Sequence, residues 1–243
     1  MKIPGYADKT CPHNPCGRPG TLDVGEPSIP TIFRGTSPPP DAVVFDLGNV
    51  LIRWEPRRAI AAAVGDEEAA RFLAADDFDF HEWNRHQDAG RPWGEAEAEA
   101  VRSHPQWSEH LLGYRRNFAE SLTGPVEASV AVLEELHRSG VALYALTNWS
   151  AELFPHAVER FSFLGWFDDI IVSGEVGAAK PSAEVFEILA RRVPFPLARC
   201  VFVDDSEANV AAAAEAGMDA ILFTDTDHLR GDLLARGLPL DPH

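Results

Sequence analysis

Ala42-Val43-Val44-Phe45-Asp46-Leu47-Gly48-Asn49-Val50 is an apolar run that breaks into a carboxylate and a glycine. Its β-branched and aromatic residues do not alternate with polar ones. That pattern suits a strand buried on both faces, as in parallel sheets. A first strand is therefore expected over residues 41–47. Similar apolar runs predict strands at 141–146, 170–172, 201–203 and 220–223. Helical stretches lie between them: a stripe of Val126, Val130, Leu133 and Leu136 stopping at Gly140, a helix capped by Ser150, one begun by Ser182 with Val185, Phe186 and Leu189 inward, one over 206–216 stopped by Gly217, and a short one over 229–236. Strand–helix alternation at this pace predicts an α/β fold, a doubly wound parallel, Rossmann-like sheet.

Residues 56–122 break that rhythm. They carry Ala- and Glu-rich stretches, Trp83, Trp93, Trp107 and several histidines, with no strand signal. They read as a small helical cap inserted after the first strand. The expected core is then 41–55 with 123–243. Residues 1–40, rich in Pro, Gly and Thr without apolar periodicity, read as a flexible extension. Cys11 and Cys16 fall there and offer too few ligands for a structural zinc site; Cys200, inside an apolar run, reads as a buried hydrophobe.

Three polar clusters follow directly on predicted strands. They are Asp46 with Gly48, then Thr147-Asn148, then Asp204-Asp205-Ser206. Ligands of open parallel sheets bind outside the carboxyl ends of the strands. A fourth motif, Lys180-Pro181, precedes a helix. Taken alone, each reads equally well as a turn or surface feature. Together they place a potential carboxylate nucleophile, a hydroxyl and an amide for anionic oxygens, and a point-charge phosphate binder in one crevice. Adjacent carboxylates are costly to crowd unless a hard cation neutralises them.

The formal charge of −17 argues against nucleic acid or an anionic membrane surface as partner. No apolar run approaches the ~20 residues of a membrane span, and Met1 to Gly5 show no apolar stretch of signal type. The expected compartment is the cytoplasm, and the expected state a monomer or homodimer.

The four motifs in this order resemble the haloacid dehalogenase (HAD) superfamily over about residues 41–236, and within it the small sugar-phosphate phosphatases whose helical cap follows the first strand. The resemblance implies a Mg²⁺-dependent phosphatase that hydrolyses a small phosphorylated metabolite through an aspartyl-phosphate. It implies Asp46 as nucleophile, with Thr147, Asn148 and Lys180 gripping phosphoryl oxygens. It implies a metal held by Asp46, the Gly48 carbonyl and Asp205, with Asp204 bound directly or through water. In one respect the chain departs from that pattern. Most family phosphatases carry a second aspartate two residues after the nucleophile, where this chain has Gly48. That aspartate protonates the leaving oxygen; here another group, such as one from the cap, supplies the proton, or the leaving group needs little help, or the reaction is slow.

The stretch Asp79-Phe80-His81-Glu82-Trp83-Asn84-Arg85-His86-Gln87-Asp88-Ala89-Gly90, dense in aromatic, acid, base and amide groups, and the nearby Trp54 supply candidate substrate contacts. Trp54, His81, Trp83 and His86 are expected to face the substrate. Two alternatives stay open. One is a metal-independent 2-haloacid dehalogenase, favoured by Gly48 and opposed by the acidic pair. The other is a non-catalytic domain that binds a phosphorylated ligand.

Overall fold

The computed structural model describes residues 38–242. The extension expected over 1–40 falls almost wholly outside the described residues, as do Cys11 and Cys16. Five parallel strands form the central sheet: β1 (Ala42–Phe45), β4 (Ala142–Thr147), β5 (Asp169–Val172), β6 (Cys200–Asp204) and β7 (Asp219–Leu222). Their order is β5-β4-β1-β6-β7, with β1 at the centre. The chain thus builds outward from β1 on one side, then crosses back to build the other. That reversal opens a crevice at the strand ends around β1.

The continuous apolar character of β1 has a direct cause. Val43 and Phe45 pack into one core layer, while Ala42 and Val44 pack into the other. Two helices cover the first layer with Val132, Leu133 and Leu136 and with Leu229 and Leu233, namely α7 (Glu127–Arg138) and α12 (Thr226–Ala235). The second layer is closed by α10 (Ala183–Arg192), through Val185, Phe186 and Leu189, and α11 (Glu207–Glu215), through Ala213. Ser182 caps α10 by accepting from the Glu184 amide, as its position suggests.

Two local expectations need correction. Val126 precedes α7 rather than joining its stripe, and the buried face of that helix includes Ser129 instead. Ser150 does not cap a helix. The helix that follows, α8 (Phe154–Arg160), begins after Leu153. The Ser150 hydroxyl accepts from the Glu152 amide at 3.3 Å and, from far away in sequence, from Trp93 Nε1 at 2.7 Å.

Between β1 and α7 the chain forms α1 (Pro56–Val64), α2 (Asp66–Leu73), α3 (Phe80–Asp88), α4 (Trp93–Ser103), α5 (Ser108–Arg116) and α6 (Phe118–Ser121). A two-stranded antiparallel ribbon brackets them, β2 (Ile52–Trp54) against β3 (Leu122–Pro125). The helices share an aromatic interior in which Phe72, Phe80, Trp93 and Tyr114 are fully buried. Edge-on contacts such as Phe80–Tyr114 at 4.9 Å and Trp83–Trp93 at 5.3 Å organise it. They dock on the loop after β4. Glu152 there accepts from the Trp93 amide at 3.0 Å and from Arg115 at 2.6 Å. Among the described residues, no helix is long and apolar enough to cross a membrane.

Candidate active site

Asp46 leaves β1 with its amide still donating to Val203 of β6, at 2.8 Å. The loop behind it closes on itself. Leu51 and Ile52 both donate to the Leu47 carbonyl, and Asn49 donates to Ile52. Asn49 has a positive φ of 54°, which asparagine tolerates better than most residues. Its side chain accepts from the Trp54 amide at 3.2 Å. Gly48 needs no such freedom. A Cβ there would meet only Asp46 Oδ2, at 3.7 Å.

Lys180 is the hub of the site. Its ammonium donates to Asp46 Oδ1, Asp204 Oδ2 and the Leu146 carbonyl, each at 2.7 Å. All three of its protons are thereby engaged. The ammonium also lies 5.5 Å from the Phe202 ring centre. Asn148 fixes the lysine's backbone. Its amide nitrogen donates to the Lys180 carbonyl and its oxygen accepts from the Lys180 amide, both at 2.8 Å. The Lys180–Pro181 bond is cis. Thr147 is buried at the end of β4.

Asp204 is fully buried and accepts further hydrogen bonds from the Ser206 amide at 2.8 Å and from Asn209 Nδ2 at 2.9 and 3.1 Å. Asp205 turns outward and is exposed. Even so, Asp46, Asp204 and Asp205 each offer an oxygen, all within 4.8 Å of one another. One ammonium among three carboxylates leaves two negative charges in excess. The electrostatics follow from that shortage. Burial pushes the Asp46 carboxyl up to about 6; Lys180 opposes the rise, while Asp204 and Asp205 add to it. Asp205, exposed at its edge but partly desolvated by the site around it, is likewise raised by that desolvation and by Asp204. Burial opposes the charge on Lys180, but Asp46 and Asp204 outweigh it and hold the lysine above its ordinary value. The surplus charge and oxygen donors match a hard divalent cation.

A cavity open to solvent adjoins this cluster. Gly48, Asn148, Trp149 and Leu153 border it from the sheet side, and Trp54, Asn84, Asp88, Tyr114 and Phe118 from the ribbon and helices. Of the residues expected to face substrate, Trp54 and Asn148 line this cavity. His81 lies on the exposed side of α3, its ring 6.0 Å from Trp54. Trp83 is buried among Phe78, Phe80 and Trp93. His86 is exposed and borders a separate outer groove beside Lys180 and Pro181. Asn84 and Asp88 belong to the stretch that the sequence marks for substrate contacts, though neither is singled out within it, and Asn209 is missed. The first two stand four apart on α3, a spacing that places both on one helix face. Asn209 lies in the first turns of the helix after the acidic pair and had no comparable signal.

Comparison with known proteins agrees with this geometry. The family model for haloacid dehalogenase-like hydrolases matches residues 40–217. The chain is 27% identical over 196 residues to the sesquiterpene phosphatase astK of Aspergillus oryzae, covering 76% of this chain and 90% of that protein. It is 28% identical over 207 residues to a ribulose-1,5-bisphosphate 5-phosphatase of Halopiger xanaduensis, covering 76% and 85%. A HAD family enzyme from Bacteroides thetaiotaomicron, solved with magnesium and inorganic phosphate, shares the fold with a TM-score of 0.62. It is 20% identical and covers 78% of this chain and 98% of that one. The match over residues 40–217 spans well over half of the sequence, and the chain belongs to the haloacid dehalogenase-like hydrolases.

Proposed function

We propose that the protein is a Mg²⁺-dependent phosphoric monoester hydrolase acting on a small phosphorylated metabolite, with the α1–α6 segment (residues 56–122 in the main) acting as its cap. The observation that carries this reading is the convergence of Asp46, Asp204 and Asp205 within 4.8 Å around a single lysine. Asp46, Asp205 and the Gly48 carbonyl, backed by Asp204, would hold the cation. When bound, Mg²⁺ would offset the charge that otherwise repels an anionic phosphoryl group from this site.

Within that frame each residue has a task. Asp46 Oδ2, the oxygen not held by Lys180, attacks phosphorus and forms an aspartyl-phosphate. Lys180 fixes the Asp46 carboxylate and compensates its charge. Asn148 holds Lys180 in register and keeps its second Nδ2 proton for a phosphoryl oxygen. Thr147 supplies a hydroxyl at the strand end. A haloacid is itself an anion, and without a cation it would meet two surplus negative charges. That disfavours the dehalogenase alternative.

For the organic part of the substrate, two relatives suggest different chemistry: one is named for a sesquiterpene phosphate activity, the other for a sugar bisphosphate. A sugar phosphate remains the first expectation. The walls supplied by Trp54, Phe118, Trp149 and Leu153 favour a second reading, a phosphate ester of an apolar alcohol. Phosphate release from sugar phosphates, isoprenoid alcohol phosphates and an aryl phosphate, with Mg²⁺ and with EDTA, tests both. Mg²⁺-dependent release is expected, and the ranking selects the substrate class. Halide release from 2-haloacids without phosphate release would overturn the reading.

A further inference from the structure

Gly48 leaves the site without a proton donor beside the nucleophile, yet an alkoxide leaving group needs one. The nearby polar groups are already committed. Lys180 donates all three of its hydrogen bonds, to Asp46, Asp204 and the Leu146 carbonyl. Asn148 is engaged at both ends of its amide. Among the residues that line the cavity, two side chains titrate, Tyr114 and Asp88. Tyr114 accepts from Trp54 Nε1 at 3.3 Å, and burial holds its hydroxyl well above the ordinary range.

Building on the phosphatase reading, we propose that Asp88 is the general acid and base of this enzyme. It is delivered from the helical segment across the cavity to the face that Gly48 leaves open.

The placement is specific. Asp88 ends α3, and Asn84 Nδ2, one turn earlier, donates to its Oδ2 at 2.8 Å. Its main-chain carbonyl accepts from the Ser173 hydroxyl, and Ser173 also accepts from the Trp149 amide at 2.9 Å. The carboxyl is tied to its own helix by Asn84 and to the loop after β4 by the Ser150 backbone, and the Asp88 main chain is anchored by Ser173. Asn84 is buried, and its Oδ1 has no partner among the described residues. Asn84 itself borders the cavity, so the Asn84–Asp88 pair forms part of its wall. The negative end of α3 disfavours a second negative charge at its last residue. Burial pushes the Asp88 carboxyl up to about 8, with a backbone hydrogen bond from Ser150 opposing the rise. The group thus carries its proton at neutral pH.

The steps balance. Asp46 forms a bond to phosphorus as the bond from phosphorus to the leaving oxygen breaks. Asp88 gives its proton to that oxygen, releasing the alcohol. The Asp88 carboxylate then takes a proton from water, whose oxygen attacks the aspartyl-phosphate. The Asp46–phosphorus bond breaks, returning inorganic phosphate, a free Asp46 and a protonated Asp88. The same cavity holds room for the reverse placement: a Cβ on Gly48 meets nothing closer than 3.7 Å.

The test compares Asp88→Asn with wild type on an alkyl phosphate and on p-nitrophenyl phosphate, whose leaving group needs little protonation. We expect kcat/KM for the alkyl ester to fall about 10²–10⁴-fold, the range for a lost general acid, and that for the aryl ester by less than about tenfold. A burst of one nitrophenolate per enzyme should appear, because the second step lacks its base. Gly48→Asp added to Asp88→Asn should recover alkyl turnover. Unchanged alkyl kinetics, or equal losses on both esters, would overturn the assignment while leaving the phosphatase reading intact. Undiminished phosphate release by Asp46→Asn would instead overturn the phosphatase reading and the assignment with it.

Discussion

Replacing Lys180 with methionine removes the charge and keeps most of the volume. The structure permits a magnitude. The ammonium makes three hydrogen bonds of 2.7 Å, two of them to buried carboxylates, and its side chain is 1% exposed. Breaking a buried ion pair from one side costs about 3–5 kcal/mol, since the partner charge stays behind. Here two partners stay behind. In a domain of this size each kcal/mol shifts Tm by roughly 2–4 °C, so a drop of about 6–20 °C is expected. Thermal unfolding at pH 7 in EDTA measures it. Two dependences belong to the mechanism. Mg²⁺ should return part of the loss by neutralising Asp46, Asp204 and Asp205. Acidification should also narrow the gap. Asp46 already holds its proton more tightly folded than unfolded, at about 6, and losing Lys180 raises it further. Such a group stabilises the fold at low pH and loses that contribution as pH rises through its folded value. A Tm within about 2 °C of wild type, or a loss insensitive to both Mg²⁺ and pH, would refute the argument.

Asp88 gives a stability prediction separate from its chemistry. Its carboxyl is raised to about 8, so wild-type stability should decline between about pH 4 and 8, and Asp88→Asn should flatten that slope in pH-dependent melts. Gly174, in the short helix α9 (Ser173–Val176), has no space for a side chain: a Cβ would lie 2.5 Å from the Ala151 nitrogen and 2.8 Å from the Trp149 carbonyl. Gly174→Ala should destabilise by about 1–3 kcal/mol in chemical denaturation and should lower activity, because the displaced loop carries Asn148 and Trp149.

Much of the architecture was legible because burial on both faces leaves an unmistakable mark. The runs at Val43, Leu143 and Val201 are apolar without alternation, and each ends in a polar cluster at the crevice. The ribbon of β2 and β3 was not legible. Its strands are three and four residues long, Gly124 and Pro125 are poor strand formers, and the pairing spans some seventy residues of sequence that no local pattern encodes. Ser150 carried a cap signal, but Trp93, far away in sequence, claims its hydroxyl. The same limit applies to the site. Asp46, Lys180 and Asp204 could be grouped because strand ends converge. The committed state of Lys180, with every proton used, is a fact of three-dimensional packing. In the stretch around Trp83 the conspicuous residues drew attention. The quieter Asn84 and Asp88 face the cavity, because the helix turns Trp83 into the aromatic core and His81 and His86 toward solvent.

The central claim is that Asp46 takes the phosphoryl group. Rapid acid quenching during turnover of the best phosphate ester, followed by mass spectrometry of the peptide containing Asp46, tests it most directly. The account predicts one phosphoryl group on Asp46, formed only with Mg²⁺ present and accumulating in Asp88→Asn. Turnover in which Asp46 never carries phosphate, or which persists in Asp46→Asn, would contradict it.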